Sequence, residues 1–273
     1  MGYKIIAVDG DGTLFNSQTQ IPAANKAALQ AAQRAGVHIA LSSGRAGTSL
    51  WRFADELELD ADAMHVLCFN GGAIFNGRRE KIFEVRMERA AAMYVYEKTA
   101  RFGITTLMYD GMDHAIFKLP EGKRDWHDLY QRLSGISTTI VDDYESAVQG
   151  DVYKVLLTAE EERLIEVQAH MKNHRDYDYA EFFTAPTLLE FTSSKSTKGQ
   201  GLDFVCRRLG LDISKDAIAI GDSFNDLSMI KAAALGVCMK NGAEAVKEAA
   251  DYVTLRGNDE CGVAEVVERF VLG

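Results

Sequence analysis

Cysteine is scarce in this 273-residue chain, and the four present, Cys68, Cys206, Cys238 and Cys261, stand far apart with no C-x-x-C spacing. That excludes a disulfide framework and a cysteine-built zinc site, and it fits a reducing compartment. Basic charge is short as well. Thirty Lys and Arg against 40 Asp and Glu give a net charge of -10, with no basic cluster to neutralise a phosphate backbone, so nucleic acid is not an expected partner. No run approaches the roughly 18 uncharged apolar residues of a membrane helix, and no basic, apolar leader precedes the first strand-like run, so neither membrane insertion nor export is expected. Internal repeats and low-complexity segments are missing too. What remains is a folded cytoplasmic protein with ample material for a core.

The most informative stretch is Lys4-Ile-Ile-Ala-Val-Asp9-Gly-Asp11-Gly-Thr13, an apolar run that ends in two carboxylates one residue apart. It reads as a buried strand whose carboxyl end carries a reactive site. Side chains two apart on an extended strand point the same way, so Asp9 and Asp11 converge, and their mutual repulsion calls for a cation, with Mg2+ the natural partner. Gly10 and Gly12 let the chain turn tightly and bring bare N–H groups toward an anion, while Thr13 can hold the turn. A calcium loop is a poorer match, because Thr13 and Leu14 stand where that pattern needs an acid and a glycine.

The order of elements extends this reading. A helix is expected from Pro22 to Ala35, stopped by Gly36, then a strand Val37–Leu41, a helix Thr48–Leu57 and a strand Val66–Phe69, which predicts a parallel sheet with right-handed crossovers. Near the other end, Lys198 opens a helix that carries Leu202, Val205, Cys206 and Leu209 on one face. Ala217–Ile220 is a strand delivering Gly221-Asp222, and a closing helix bears Val263, Val266, Val267 and Phe270. These two ends, 1–80 and 188–273, are expected to form one α/β core, a Rossmann-like doubly wound sheet. The middle, 81–187, mixes helices at 88–102 and 160–173 with strands at 105–109, 115–119 and 152–158, and is expected to be an inserted α+β cap. Gly77 and Pro186 mark the seams.

Strand ends in an open parallel sheet share one crevice, so their polar residues can meet. Asp222 can complete a metal site with Asp9 and an oxygen from Asp11, with Asn225 and Asp226 flanking it, although alone Asp222 or Ser223 would only cap a helix. Ser43 and Gly44 offer a hydroxyl and an N–H suited to a phosphate oxygen. Arg45 can pair with a core acid or with substrate equally well. Lys198 at a helix start is electrostatically misplaced unless a phosphate or the Asp9 carboxylate neutralises it.

Taken together, D-x-D-G-T at 9–13, S-G-R at 43–45, N-G at 70–71, K-G at 198–199 and G-D-x-x-N-D at 221–226 resemble the haloacid dehalogenase superfamily of phosphohydrolases, in particular its Cof-like branch with a large α/β cap. The resemblance runs in order over nearly the whole chain. It departs from the pattern at Gly10, where the family places a bulky apolar residue and where glycine is expected to loosen the loop, and at Ser42, where it has alanine. The resemblance implies that Asp9 is a nucleophile forming an aspartyl phosphate and that Asp11 is the general acid and base. It also implies that Asp9, Asp222 and the Asp11 carbonyl hold Mg2+, and that Ser43, Lys198, Asn225 and the amides of Gly10 and Gly44 bind the phosphoryl oxygens. Thr13 and Asp226 support them. The expected activity is hydrolysis of a small phosphorylated metabolite, a sugar phosphate for this branch; a phosphomutase using the same Asp pair, or a non-catalytic phosphometabolite-binding protein, are the alternatives. No cap residue is assigned, although Tyr109, Asp110, His114 and Tyr153 are suited to contact a leaving group.

Overall fold

A computed structural model describes residues 2–119, 127 and 135–273. The chain divides into two compact units, one of Met1–Arg45, Leu50–Glu84 and Thr197–Gly273, the other of Ala46–Ser49 and Val85–Ser196.

The first unit is built on an eight-stranded sheet in the order β14-β13-β12-β1-β2-β3-β4-β5. Its strands are β1 (Ile5–Asp9), β2 (His38–Ser42), β3 (Met64–Cys68), β4 (Ala73–Asn76), β5 (Lys81–Glu84), β12 (Ala217–Gly221), β13 (Leu235–Cys238) and β14 (Tyr252–Val253). From β14 to β3 all pairings are parallel. Ile5, Ile6, Ala7 and Val8 are all fully buried, so β1 is covered on both faces, as its unbroken apolar run requires. On one face Ile5 and Ala7 join Leu202, Val205 and Cys206 of the helix Lys198–Arg208. The helices Ala23–Arg34 and Gly262–Val267 pack on each other, linked by buried Asn25, whose amide donates to the Leu14 carbonyl at 3.3 Å and accepts from the Ala264 N–H at 3.0 Å.

The sheet is not wholly parallel: β3–β4 and β4–β5 are antiparallel hairpin pairings, so Gly77 lies in the β4–β5 turn and Lys81–Glu84 belongs to this sheet. Pro186 likewise sits between β10 (Tyr179–Ala185) and β11 (Leu188–Ser193), an antiparallel pair in the second unit. The compact units change over after Glu84 and after Ser196, with Ala46–Ser49 grouped with the second.

The second unit carries a six-stranded sheet in the order β10-β11-β9-β6-β7-β8, with β6 (Thr105–Met108), β7 (His114–Lys118), β8 (Ser137–Ile140) and β9 (Lys154–Thr158). The helices Arg89–Ala100 and Glu161–Lys172 cover one face, where Ala92, Val95, Leu164 and Val167 meet Val155, Leu157, Leu189 and Phe191. Tyr109 and Tyr153 are buried, and Asp110 is paired with His114 through Oδ1 and Nδ1 at 2.6 Å. Among the described residues no helix is long and apolar enough to cross a membrane.

Candidate active site

The strand order reverses direction at β1 and β12: from β1 the chain builds outward through β2 and β3, then returns to lay β12 on the other side. Ligands in such sheets bind outside the carboxyl ends of the strands at that reversal. Asp9 ends β1, and Asp222 directly follows β12.

Beyond Asp9 the chain turns through Gly10–Leu14, closed by the Phe15 N–H donating to the Gly10 carbonyl at 2.9 Å. Gly12 has φ of 75°, and a Cβ there would stand 2.5 Å from Asp222 Oδ2, so glycine is required both for its conformation and for the approach of the carboxylate. Thr13 donates its hydroxyl to Asp222 Oδ1 at 2.8 Å, and the Asn241 side chain donates to the Gly12 carbonyl at 2.8 Å. The turn is thereby fixed from the β12 and β13 strand ends.

Lys198, fully buried, donates its ammonium to Asp9 Oδ1 and, at 2.5 Å, to Asp226 Oδ1. The other Asp226 oxygen accepts the N–H groups of Asp222 and Ser223 at 2.9 and 3.0 Å. This accounts for the misplaced lysine at a helix start: the carboxylates of Asp9, at the end of β1, and of Asp226, in the helical turn after β12, neutralise it. Asp9, Asp222 and Asp226 bring oxygens within 4.8 Å of one another, three carboxylates against the one ammonium of Lys198. The electrostatics reflect that imbalance. Burial lifts Asp9 well above the usual carboxylate range, and Asp226, Asp222 and Asp11 add to this against the opposing pull of Lys198. Burial and then Asp226 raise Asp222 to about 7. Burial would depress Lys198, but Asp226 and Asp9 hold it above the ordinary lysine range.

The side chains of Asp9 and Asp11 do not converge as their spacing predicts, because the chain turns after Asp9 and the two carboxylates take different cations. The Asp11 carboxylate lies outside the acid cluster, half exposed, and both its oxygens accept from Arg45, Nε at 2.7 Å and Nη2 at 2.6 Å. Arg45 thus pairs with an acid, though an exposed one and not the core acid of the first reading. An ion pair this exposed contributes at most about 1 kcal/mol, so its role is one of geometry more than of stability.

Ser43 is buried at the end of β2, its hydroxyl accepting from the Arg45 N–H at 3.2 Å. Asn225 donates to Asn70 Oδ1 at 3.0 Å, and the Asn70 amide lies 3.3 Å from where a Gly44 Cβ would be. Asn70 and Asn241 received no role from sequence. The signal for Asn70 was its place in N-G after a strand, where its φ of 56° suits asparagine; Asn241 follows another strand end, β13, as Lys-Asn-Gly. The residues brought together are therefore Asp9, Gly12, Thr13, Lys198, Asp222 and Asp226, with Asp11 and Arg45 beside them and Ser43, Gly44, Asn70 and Asn225 at the neighbouring strand ends.

The model of haloacid dehalogenase-like hydrolases matches residues 6–267. The chain belongs to this family. It is 30% identical to phosphatase YwpJ of Bacillus subtilis, over 98% of this chain and all of that protein. It is 28% identical to the 5-amino-6-(5-phospho-D-ribitylamino)uracil phosphatase YwtE of the same organism, over 99% of both. Among solved structures it is similar to a sugar phosphatase of haloacid dehalogenase subclass IIB, with a TM-score of 0.82, 25% identity and 98% of both chains covered. This haloacid dehalogenase-like chain is accordingly an enzyme, a phosphatase.

Proposed function

We propose that the chain is a Mg2+-dependent phosphatase that hydrolyses a small phosphorylated metabolite, a sugar phosphate or similar polyol phosphate, through a phosphoryl group held transiently on Asp9. The observation that carries the reading is the meeting of Asp9, Lys198, Asp222 and Asp226 at the reversal point of the sheet. Such a group of oxygen donors with excess negative charge suits a hard divalent cation. Asp9 and Asp222 would hold it with the main-chain carbonyl of Asp11, while Asp226, whose oxygens are taken by Lys198 and two N–H groups, supports the lysine. When bound, the cation supplies charge neutralisation between phosphate and carboxylate.

In this reading an oxygen of Asp9 attacks phosphorus, the bond to the leaving oxygen breaks, and Asp11 delivers a proton to that oxygen. Asp11 then takes a proton from the water that cleaves the acyl phosphate, releasing inorganic phosphate and restoring Asp9. Lys198, Ser43, Asn225 and the amides of Gly10 and Gly44 bind the phosphoryl oxygens, where positioned donors matter most. Sugar and polyol phosphates are favoured because the similar proteins described above act on a sugar phosphate and on a phosphoribityl compound.

The test is phosphate release from a panel of phosphorylated metabolites with Mg2+ present. Steady turnover of several sugar phosphates is expected. Conversion of one bound sugar phosphate to an isomer with little free phosphate would instead identify a mutase, and no turnover of any panel member would leave only binding.

A further inference from the structure

Gly10 stands where the resembling family has a bulky residue, and the structure explains what replaces it. A Cβ on Gly10 would lie 2.7 Å from Phe15 Cε2, so the space beside the turn is filled by the Phe15 ring. The loop is not slack at this point. Phe15 is 1% exposed and stacks on Phe53, 2% exposed, with centroids 3.9 Å apart and planes 25° from parallel. The Arg45 guanidinium carbon lies 5.9 Å from the Phe15 centroid and 5.8 Å from the Phe53 centroid, within the reach of cation–π attraction to both rings. From that seat its planar fork meets both oxygens of Asp11.

The chain of cause runs in one direction. Asp11 sits on a glycine-flanked turn and is half exposed, so its carboxylate has rotational freedom unless something orients it. An arginine can orient it bidentately, but only if the arginine is itself held, because its side chain carries large rotamer entropy. The stacked rings hold it, and the ring nearest the turn occupies the space that a side chain on residue 10 would take.

We propose that Arg45 is a positioning residue for Asp11, seated on a Phe15–Phe53 platform that Gly10 admits. It sets the direction of the Asp11 carboxylate without itself binding phosphate. The proposal rests on the reading of Asp11 as the proton-transfer group.

Steady-state kinetics on p-nitrophenyl phosphate and one alkyl phosphate test it, using the wild type, Arg45→Gln, Arg45→Lys and Phe53→Leu, and Arg45→Gln combined with Asp11→Asn, with thermal melts to confirm folding. Arg45→Gln is expected to lower kcat about tenfold with KM within about twofold, the pattern of a group acting on the chemical step and not on substrate binding. Arg45→Lys does not rescue, since a point charge cannot replace the fork. Phe53→Leu gives a smaller loss of the same kind, about threefold, through a looser seat for Arg45. In the Asp11→Asn background Arg45→Gln changes kcat by less than about twofold, because the two act as one unit. A rise in KM with kcat intact, or an undiminished tenfold loss without Asp11, would overturn the proposal while leaving the phosphatase reading in place. If Asp11→Asn is too slow to measure, the kcat and KM split and the lysine variant decide. Absence of wild-type turnover on any phosphate ester would remove the phosphatase reading and this proposal together.

Discussion

At the scale of single residues the carboxylates divide by what surrounds them. Asp9 is buried against a lysine, whereas Asp11 is half exposed against an arginine. Asp11→Asn is expected to reduce turnover about 100- to 10,000-fold, the usual range for one general acid-base group, and a reduction under tenfold in kcat would remove it from that role. Ser42, where the family has alanine, is fully buried and its hydroxyl meets no partner among the described residues. Relieving an unsatisfied buried hydroxyl raises stability, so Ser42→Ala should gain about 1 kcal/mol in urea melts; a loss would mean that the hydroxyl is satisfied in solution. The apolar strand end made the place of Asp9 legible from sequence, and the cation at a helix start that of Lys198, whereas the turn after Asp9 sends the Asp11 carboxylate to Arg45 instead. Arg45 was not decidable, because its partner depends on the Phe15–Phe53 stack, which no spacing announces.

At the scale of elements, hydrophobic runs placed the strands of the parallel sheet, because a strand buried on both faces has no polar alternation to confuse it. The β4–β5 and β10–β11 hairpins were missed for a physical reason. Glycine and proline report that the chain turns, and they do not report whether it turns within a sheet or between units. One consequence of strand placement concerns His38 on β2 and His65 on β3, whose rings lie 6.1 Å apart and whose Nδ1 atoms have no partner among the described residues. Burial, with smaller contributions from His38 and Arg208, brings His65 down to about 4. The folded state therefore keeps His65 neutral while the unfolded chain protonates near 6.5, so the unfolded state binds more protons between these values. That contribution to stability is complete above about pH 6.5 and is lost as pH falls toward 4, amounting to about 2–3 kcal/mol by pH 4.5. Urea melts from pH 7 to 4.5 should fall less steeply for His65→Leu than for the wild type. Equal slopes would assign the acid sensitivity to other groups.

At the scale of the whole molecule, the acids and the lysine that meet in the candidate site come from opposite ends of the chain, and Val85–Ser196 lies between them in sequence as a unit with its own sheet and core. The order of motifs made this organisation readable, whereas the composition of the middle segment gave only its mixed character. Within the first unit, two acids paired with one lysine and a third, Asp222, close beside them crowd negative charge, which opposes folding. Mg2+ at a hundredfold excess over its dissociation constant should therefore raise stability by about 2.7 kcal/mol, as any ligand confined to the folded state does. Thermal melts with and without Mg2+ measure this, and Asp222→Ala should lose the response. An unchanged response in Asp222→Ala would place the cation elsewhere.

The central claim is that Asp9 carries the phosphoryl group, and the most direct measurement is phosphate release by the wild type and by Asp9→Asn on the best substrate of the panel with Mg2+ present. The account predicts that the wild type turns over and that Asp9→Asn, with an unchanged circular-dichroism spectrum and cooperative melt, releases no phosphate above the uncatalysed rate. Turnover by Asp9→Asn near that of the wild type would contradict it.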